Sequence, residues 1–170
     1  MNWLFYVSAA IALFSSIMVI TRMNAVHALL YMVMSLLSVA MIFFLLGAPF
    51  IAALEVIVYA GAIMVLFVFV IMMLNLGPQS EDQERQWFNI RTWRGLVFIA
   101  GILLVELILA VRLGFTQPLP STEVTPHQVA LSLFGPYLLG VELASMLLLA
   151  GLVGAYHLGR RTQNLERRRE

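Results

Sequence analysis

Three acidic residues, Glu55, Glu106 and Glu142, lie inside long apolar stretches of the chain. An ionised carboxyl group within hydrocarbon costs about 3 kcal/mol even on lenient insertion scales, so each acid must be solvated, paired or protonated. Glu55 precedes Tyr59 by four residues, which places both on one helix face, where a hydroxyl can hydrogen-bond a carboxyl. Acids inside membrane segments commonly mark proton or ion pathways. We therefore expect Glu55 to be functional, with Tyr59 as its partner.

The other two acids carry weaker signals. Glu142 lies deep in its apolar stretch, with Ser145 three residues later, so a function and a packing role are both open. Glu106 lies only five residues before the end of its stretch, so its side chain could simply extend to the lipid headgroups. With a rise of ~1.5 Å per residue, all three carboxyl groups could occupy one layer in the outer half of a membrane.

The composition indicates an integral membrane protein of the all-α class. Hydrophobic residues make up 62% of the chain and charged residues 11%, and the mean hydropathy is +0.94. Stretches long enough to cross ~30 Å of hydrocarbon as helices occur at 3–20, 27–46, 50–76, 95–111 and 137–158. Barrel strands would be shorter and would alternate apolar with polar residues. We therefore predict a single polytopic membrane domain over residues 1–170, with five transmembrane helices.

The third stretch is longer than a membrane requires. Its residues 50–76 would extend about 40 Å as a straight helix, against ~30 Å of hydrocarbon. The helix must therefore be tilted, distorted or both, and its length alone does not distinguish these possibilities. The small residues Ala60, Gly61 and Ala62 follow Tyr59 directly, and small residues allow another helix to approach closely.

The arginines predict the orientation of the chain in the membrane. All ten basic residues are Arg, and five spans place the two termini on opposite sides. A cytoplasmic C-terminus puts nine arginines inside and only Arg112 outside, as the positive-inside rule requires. The N-terminus should then be periplasmic, and the tail 159–170 should lie at the inner lipid headgroups. A net charge of +1 with arginines along the membrane edge gives no indication of nucleic-acid binding.

The sequence contains no motif for a metal, a redox centre or a nucleotide. The absence of Cys excludes a thiolate-ligated metal or iron–sulfur cluster within the chain, and no P-loop or Rossmann glycine pattern is present. The five spans show no internal repeat, which argues against an autonomous inverted-repeat transporter. Small-residue spacings such as Gly140/Ala144 imply neighbouring helices. We therefore expect one component of a larger membrane assembly, without a cofactor of its own.

Three segments carry a resemblance to a known family: NAVHALLY at 24–31, ALEVIVYAGAIMVLFVFVIMMLNL at 53–76, and LFGPYLLGVELASMLLLAGLVGAYH at 133–157. Together they resemble the family of subunit J of bacterial NADH-quinone oxidoreductase, whose mitochondrial counterpart is NADH dehydrogenase subunit 6. The resemblance extends from about residue 3 to residue 158, and its third-helix segment is highly specific. Ala25 departs from the pattern, because the family often has Pro after the Asn, and this change affects only helix pre-organisation.

The resemblance implies a membrane-arm subunit of proton-pumping respiratory complex I, near its quinone-reducing end, in the bacterial inner membrane. Flavin, iron–sulfur clusters and quinone would be bound on or between other subunits, and the chain would not function alone. The resemblance also implies a π-bulge in the third helix and a conformational change that gates a hydrated path of acidic groups. Glu55, Tyr59 and Glu142 would then be proton-relay or coupling residues, and we hypothesise that Gly61 is the conformational pivot. Glu106 is not part of the family pattern.

Two other classes of function stay open. A component of a cation/proton antiporter would also be rich in membrane acids, and it should show sodium-dependent flux alone or with few partners. A purely structural subunit would use its acids only to pair with partner helices, and it should tolerate Glu55→Gln once assembled.

The predicted orientation can be tested with single thiols, because the chain has no Cys of its own. A Cys introduced at Ser121 should react with a membrane-impermeant reagent added from the periplasmic side, whereas a Cys at Gln83 should not. The opposite labelling pattern would contradict an outside N-terminus and a cytoplasmic C-terminus.

Overall fold

The computed structural model of the chain describes residues 2–22, 24–74, 90–116 and 124–166. These residues are almost entirely helical, and none of them forms a strand. The helices are α1 (Asn2–Thr21), α2 (Ala25–Leu45), α3 (Pro49–Leu54), the π-helix π1 (Glu55–Ile63), α4 (Met64–Leu74), α5 (Ile90–Thr116), α6 (Pro126–Leu133) and α7 (Leu138–Glu166).

Five helical segments are long and apolar enough to cross a membrane, and α3, π1 and α4 together form the third. The spans are Trp3–Thr21, Ala25–Leu45, Pro49–Met73, Trp93–Arg112 and Leu138–Gly159. The predicted all-α fold with five spans and an interrupted third helix is therefore confirmed. The predicted end of the third span at 75–76 and the last four residues of the predicted tail lie outside the described residues.

Two local signals set the turns around α2. Asn24 caps the helix, because its side-chain oxygen accepts hydrogen bonds from the backbone N–H groups of Val26 and His27 at 3.0 and 3.3 Å. After α2 the chain reverses through Gly47, whose φ of 81° is in the left-handed region that glycine adopts without strain. Pro49 then begins α3. The first N–H groups of a helix have no partner within it, so the missing N–H of proline costs no hydrogen bond there.

Helices α1, α2 and α5 pack together through apolar side chains, and a few serines are enclosed among them. Ile11, Tyr31, Leu96 and Ile99 form one buried cluster between the three helices. Ser35 on α2 donates to the carbonyl oxygen of Ala12 on α1 at 3.1 Å, and its Oγ lies 3.0 Å from that of Ser16. Ser35 thus bonds across the α1–α2 contact, as polar side chains commonly do between membrane helices.

The third span packs mainly against α2. Ala52 in α3 and Met64 at the start of α4 are its buried residues, whereas π1 between them has none. This span therefore exposes most of its surface within the described chain.

Residues 1–124 and 125–170 form two compact units, and the second contains α6 and α7. Thr125 and Gln128 form a capping box at the start of α6, in which each side chain bonds the backbone N–H of the other. The predicted spans leave no helix between 111 and 137, but α5 continues to Thr116 and α6 forms at Pro126–Leu133, which corrects that prediction. The single membrane domain stays a prediction.

Candidate functional site

Glu55 is the first residue of π1. Its side chain is half-buried, and it makes no hydrogen bond or ion pair with any residue in the described part of the chain. The preceding helix α3 holds it close to α2, while the rest of π1 leaves its outer side open. The carboxyl group is therefore available to water, to lipid or to another protein chain.

Tyr59 lies one turn further along and is half-exposed. Residues 56–59 are four consecutive exposed positions, which means that π1 is covered on one narrow side only. The Tyr59 hydroxyl does not hydrogen-bond the Glu55 carboxyl in this structure, although both lie on π1. The proposed partnership of these two residues therefore depends on a side-chain movement or on a bridging water.

Gly61 occupies a crowded point of the π-helical backbone. The N–H of Met64 donates to the carbonyl oxygens of Gly61 and Tyr59, and Tyr59 lies five residues back, which is the π-helical spacing. A Cβ added to Gly61 would lie 3.1 Å from the carbonyl oxygen of Val56, also five residues back. This separation is shorter than ordinary van der Waals contact, so a larger residue at 61 would require the Val56 carbonyl group to move by a few tenths of an ångström. Glycine at 61 thus avoids a tight contact in this turn.

Glu106 occupies a different environment from the one expected at the headgroups. Its side chain is only 3% exposed, and its Oε1 accepts a hydrogen bond from Ser8 Oγ at 2.6 Å. The idea that Glu106 extends to the headgroups is therefore wrong, because α1 covers it. The sequence did not reveal Ser8 as the partner of Glu106, because the two residues are 98 positions apart. The only available signal was a polar residue on the inward face of α1.

Glu142 lies in the second compact unit, on the exposed surface of α7. Ser145 donates to the backbone carbonyl oxygen of Glu142 at 2.8 Å and not to its carboxyl group. All described side chains of α7 apart from Val141 are exposed. The predicted common layer of the three acids stays a prediction.

The three candidate residues Glu55, Tyr59 and Gly61 are thus assembled on one distorted helical segment of nine residues. A half-buried carboxyl group on such a segment can change its protonation when its water contacts change, because low polarity favours the neutral form. Among the described residues, no three His, Asp or Glu side chains lie close enough together to hold a metal ion. The arrangement is suited to proton movement coupled to a change in helix form.

Comparison with known proteins extends this description. The sequence profile of the family described as "NADH-ubiquinone/plastoquinone oxidoreductase chain 6" matches residues 15–158. The chain is 56% identical over 161 residues to the NADH-quinone oxidoreductase subunit J of Pseudomonas aeruginosa, covering 94% of this chain and 97% of that protein. It is 52% identical over 160 residues to the subunit of the same name from Escherichia coli K12, covering 94% and 87%. It is 46% identical over 160 residues to the NADH-quinone oxidoreductase subunit J of Buchnera aphidicola subsp. Schizaphis graminum, covering 94% of this chain and 98% of that protein.

Proposed function

Because the chain belongs to the NADH-ubiquinone/plastoquinone oxidoreductase chain 6 family, we propose that it couples quinone reduction to proton translocation in a membrane-bound NADH-quinone oxidoreductase. It is a subunit of the membrane arm of this complex and assembles with the other membrane-arm subunits. The observation that carries the coupling role is π1, a nine-residue π-helical segment that starts at Glu55 inside a membrane span. π-Helical turns are rare and occur mostly at functional sites.

The redox chemistry belongs to other subunits in this proposal. The chain has no Cys to hold an iron–sulfur cluster and no nucleotide-binding motif, which supports the placement of flavin, clusters and quinone elsewhere in the complex. The chain lies in the bacterial inner membrane with its N-terminus periplasmic and its C-terminus cytoplasmic. The distribution of its arginines supports this orientation.

Glu55 is the proton-relay or coupling residue of the chain. Its carboxyl group has no fixed partner among the described residues and lies beside a segment whose backbone can rearrange. Tyr59 orients the carboxyl group or a water next to it, since the two residues are one turn apart on the same segment. Glu142 on α7 supplies a second carboxyl group. Its side chain is exposed in the isolated chain, so a partner subunit or water can contact it.

The conformational change is a conversion of π1 between π and α forms with Gly61 as its pivot. When the π-helical turn loses or gains one residue, the helix that follows it rotates by about 100°, because an α-helix has 3.6 residues per turn. Val65, Phe67 and Phe69 at the start of α4 would then change faces relative to Glu55. All three are exposed, so such a rotation can close or open a water path beside the carboxyl group.

Glu55→Gln tests the relay directly, because it removes the titratable group and keeps the size of the side chain. Assembly of the complex should survive, while quinone-coupled proton translocation should fall by about tenfold or more, as loss of a proton-transferring group typically causes. Glu142→Gln should act similarly but more mildly, and Glu106→Gln least. The measurement is NADH-driven proton uptake into membrane vesicles, normalised to the amount of assembled complex.

Glu123→Gln is the matched control for this test, because it removes an acid outside the predicted spans. If the Glu55 variant assembles normally and translocates protons as the control does, the chain is a structural subunit. Sodium-dependent flux without NADH oxidation would instead favour the antiporter class.

Gly61→Val tests the pivot, because its Cβ would lie 3.1 Å from the Val56 carbonyl oxygen and disfavour the π form. The variant should assemble but turn over several-fold more slowly, since a β-branched side chain restricts the backbone at this turn. Gly101→Val on α5 is the control, because nothing lies within 4 Å of a Cβ at that position. Equal rates of NADH-driven quinone reduction in the two variants would contradict a pivot at Gly61.

A further inference from the structure

A buried polar pair joins α1 to α5 outside the coupling segment. Ser8 is fully buried and donates from Oγ to Oε1 of Glu106 at 2.6 Å, and Glu106 is 3% exposed. Leu4 and Ala110, one turn away on each helix, are completely buried in one cluster with Met41 of α2. The second cluster, defined above by Ile11, Tyr31, Leu96 and Ile99, lies on the other side of the pair. The carboxyl group is therefore sealed along the helix axes by apolar side chains.

The second carboxyl oxygen of Glu106 is enclosed and unpaired. Oε2 is buried and has no hydrogen-bond partner in the described part of the chain. Because the atom is covered on all sides, a side chain from another subunit cannot reach it while α1 and α5 stay packed. Among the described residues, Ser8 is thus the only one that hydrogen-bonds this carboxyl group.

These surroundings disfavour an ionised carboxyl group. A buried carboxylate requires a cation or several hydrogen-bond donors to replace the water that it loses. Glu106 has one neutral donor and no ion pair with the described arginines. The protonated carboxylic acid, which is neutral, loses far less on burial.

We propose that Glu106 is protonated while α1 and α5 are packed, and that separation of these helices releases its proton. On opening, the O–H bond of the carboxylic acid breaks, its proton passes to the water that enters, and a carboxylate remains. The packed contact therefore holds one proton more than the open contact. By linkage, raising the pH favours opening.

Other ionisable side chains are described on the helices around Glu106. They are Tyr6 on α1, Arg22 between α1 and α2, His27 and Tyr31 on α2, and Arg94 and Arg112 on α5. None of them forms a hydrogen bond or an ion pair with Glu106. A variant that changes Glu106 alone therefore isolates its contribution from theirs.

Opening of the contact can be followed at a buried thiol in the intact complex. Ala110→Cys places a thiol in the cluster that covers Glu106, at a position with no exposure. A membrane-permeant maleimide will label it only when α1 and α5 separate and water enters. Val111→Cys, on the exposed neighbouring residue, supplies the reference rate and corrects for the pH dependence of thiol reactivity.

The ratio of the Ala110→Cys to the Val111→Cys labelling rate should rise with pH between about pH 6 and about pH 8. Because opening releases one proton, the labelling-rate ratio can rise by up to about tenfold per pH unit. With Glu106→Gln added to both thiol variants, the ratio should be independent of pH. With Ser8→Ala added instead, the ratio should rise about three- to tenfold at each pH and keep its slope, because the acid loses its only partner.

A pH-independent ratio in the chain that retains Glu106 would overturn the proposal, as would the same slope after Glu106→Gln. If the Gln variant fails to accumulate, Ser8→Ala combined with Glu106→Met replaces both polar partners by apolar side chains and keeps the volume similar. In this double variant, the thiol at position 110 should be labelled slowly, and the labelling-rate ratio should not depend on pH. A rising profile in the pair would assign the proton to another group and overturn the proposal.

Discussion

The cost of leaving a polar group unpaired in hydrocarbon is the main constraint on the backbone of this structure. Backbone groups meet the requirement by forming helices throughout the described spans, and Ser35 and Ser38 donate to the carbonyl oxygens of Ala12 and Met34. A π-helix also pairs its backbone internally, so π1 can lie in a span without exposing unpaired amides. Carboxyl groups are harder to accommodate in hydrocarbon than backbone amides. The two acids within the spans of the first compact unit lie at a π-helical segment and at a buried polar contact between helices.

Glu55 and Glu106 both place a carboxyl group inside a membrane span, but their surroundings differ. Glu106 is sealed between α1 and α5 with one hydroxyl donor, which suits a proton that is held. Glu55 is half-buried on a distorted segment with no fixed partner in the described chain, which suits a proton that moves. The same type of side chain thus occupies two different environments in this structure. The first span contacts α5 through the sealed acid, whereas the third span is packed mainly on α2.

Much of the fold could be predicted from the sequence, because long apolar stretches between turn signals leave helices as the only solution. The five spans, the cap at Asn24 and the grouping of Glu55 with Tyr59 and Gly61 all follow from local residues. The nine-residue length of π1 does not, because π-helices are rare and no local residue pattern marks where one begins or ends. The burial of Glu106 depends on Ser8, a contact between distant segments that periodicity cannot reveal. α6 is not evident from the sequence, because it has only eight residues and lies in a stretch with four prolines.

In the proposed mechanism, π1 changes its hydrogen-bonding pattern during turnover. This change can be tested by high-resolution structures of the whole complex, resting and during steady-state NADH oxidation. One state should retain the π-helix from Glu55 to Ile63, and the other should contain regular α-helix there, with α4 rotated by about 100°. The same hydrogen-bonding pattern in both states, with Phe67 on an unchanged face relative to Glu55, would contradict it.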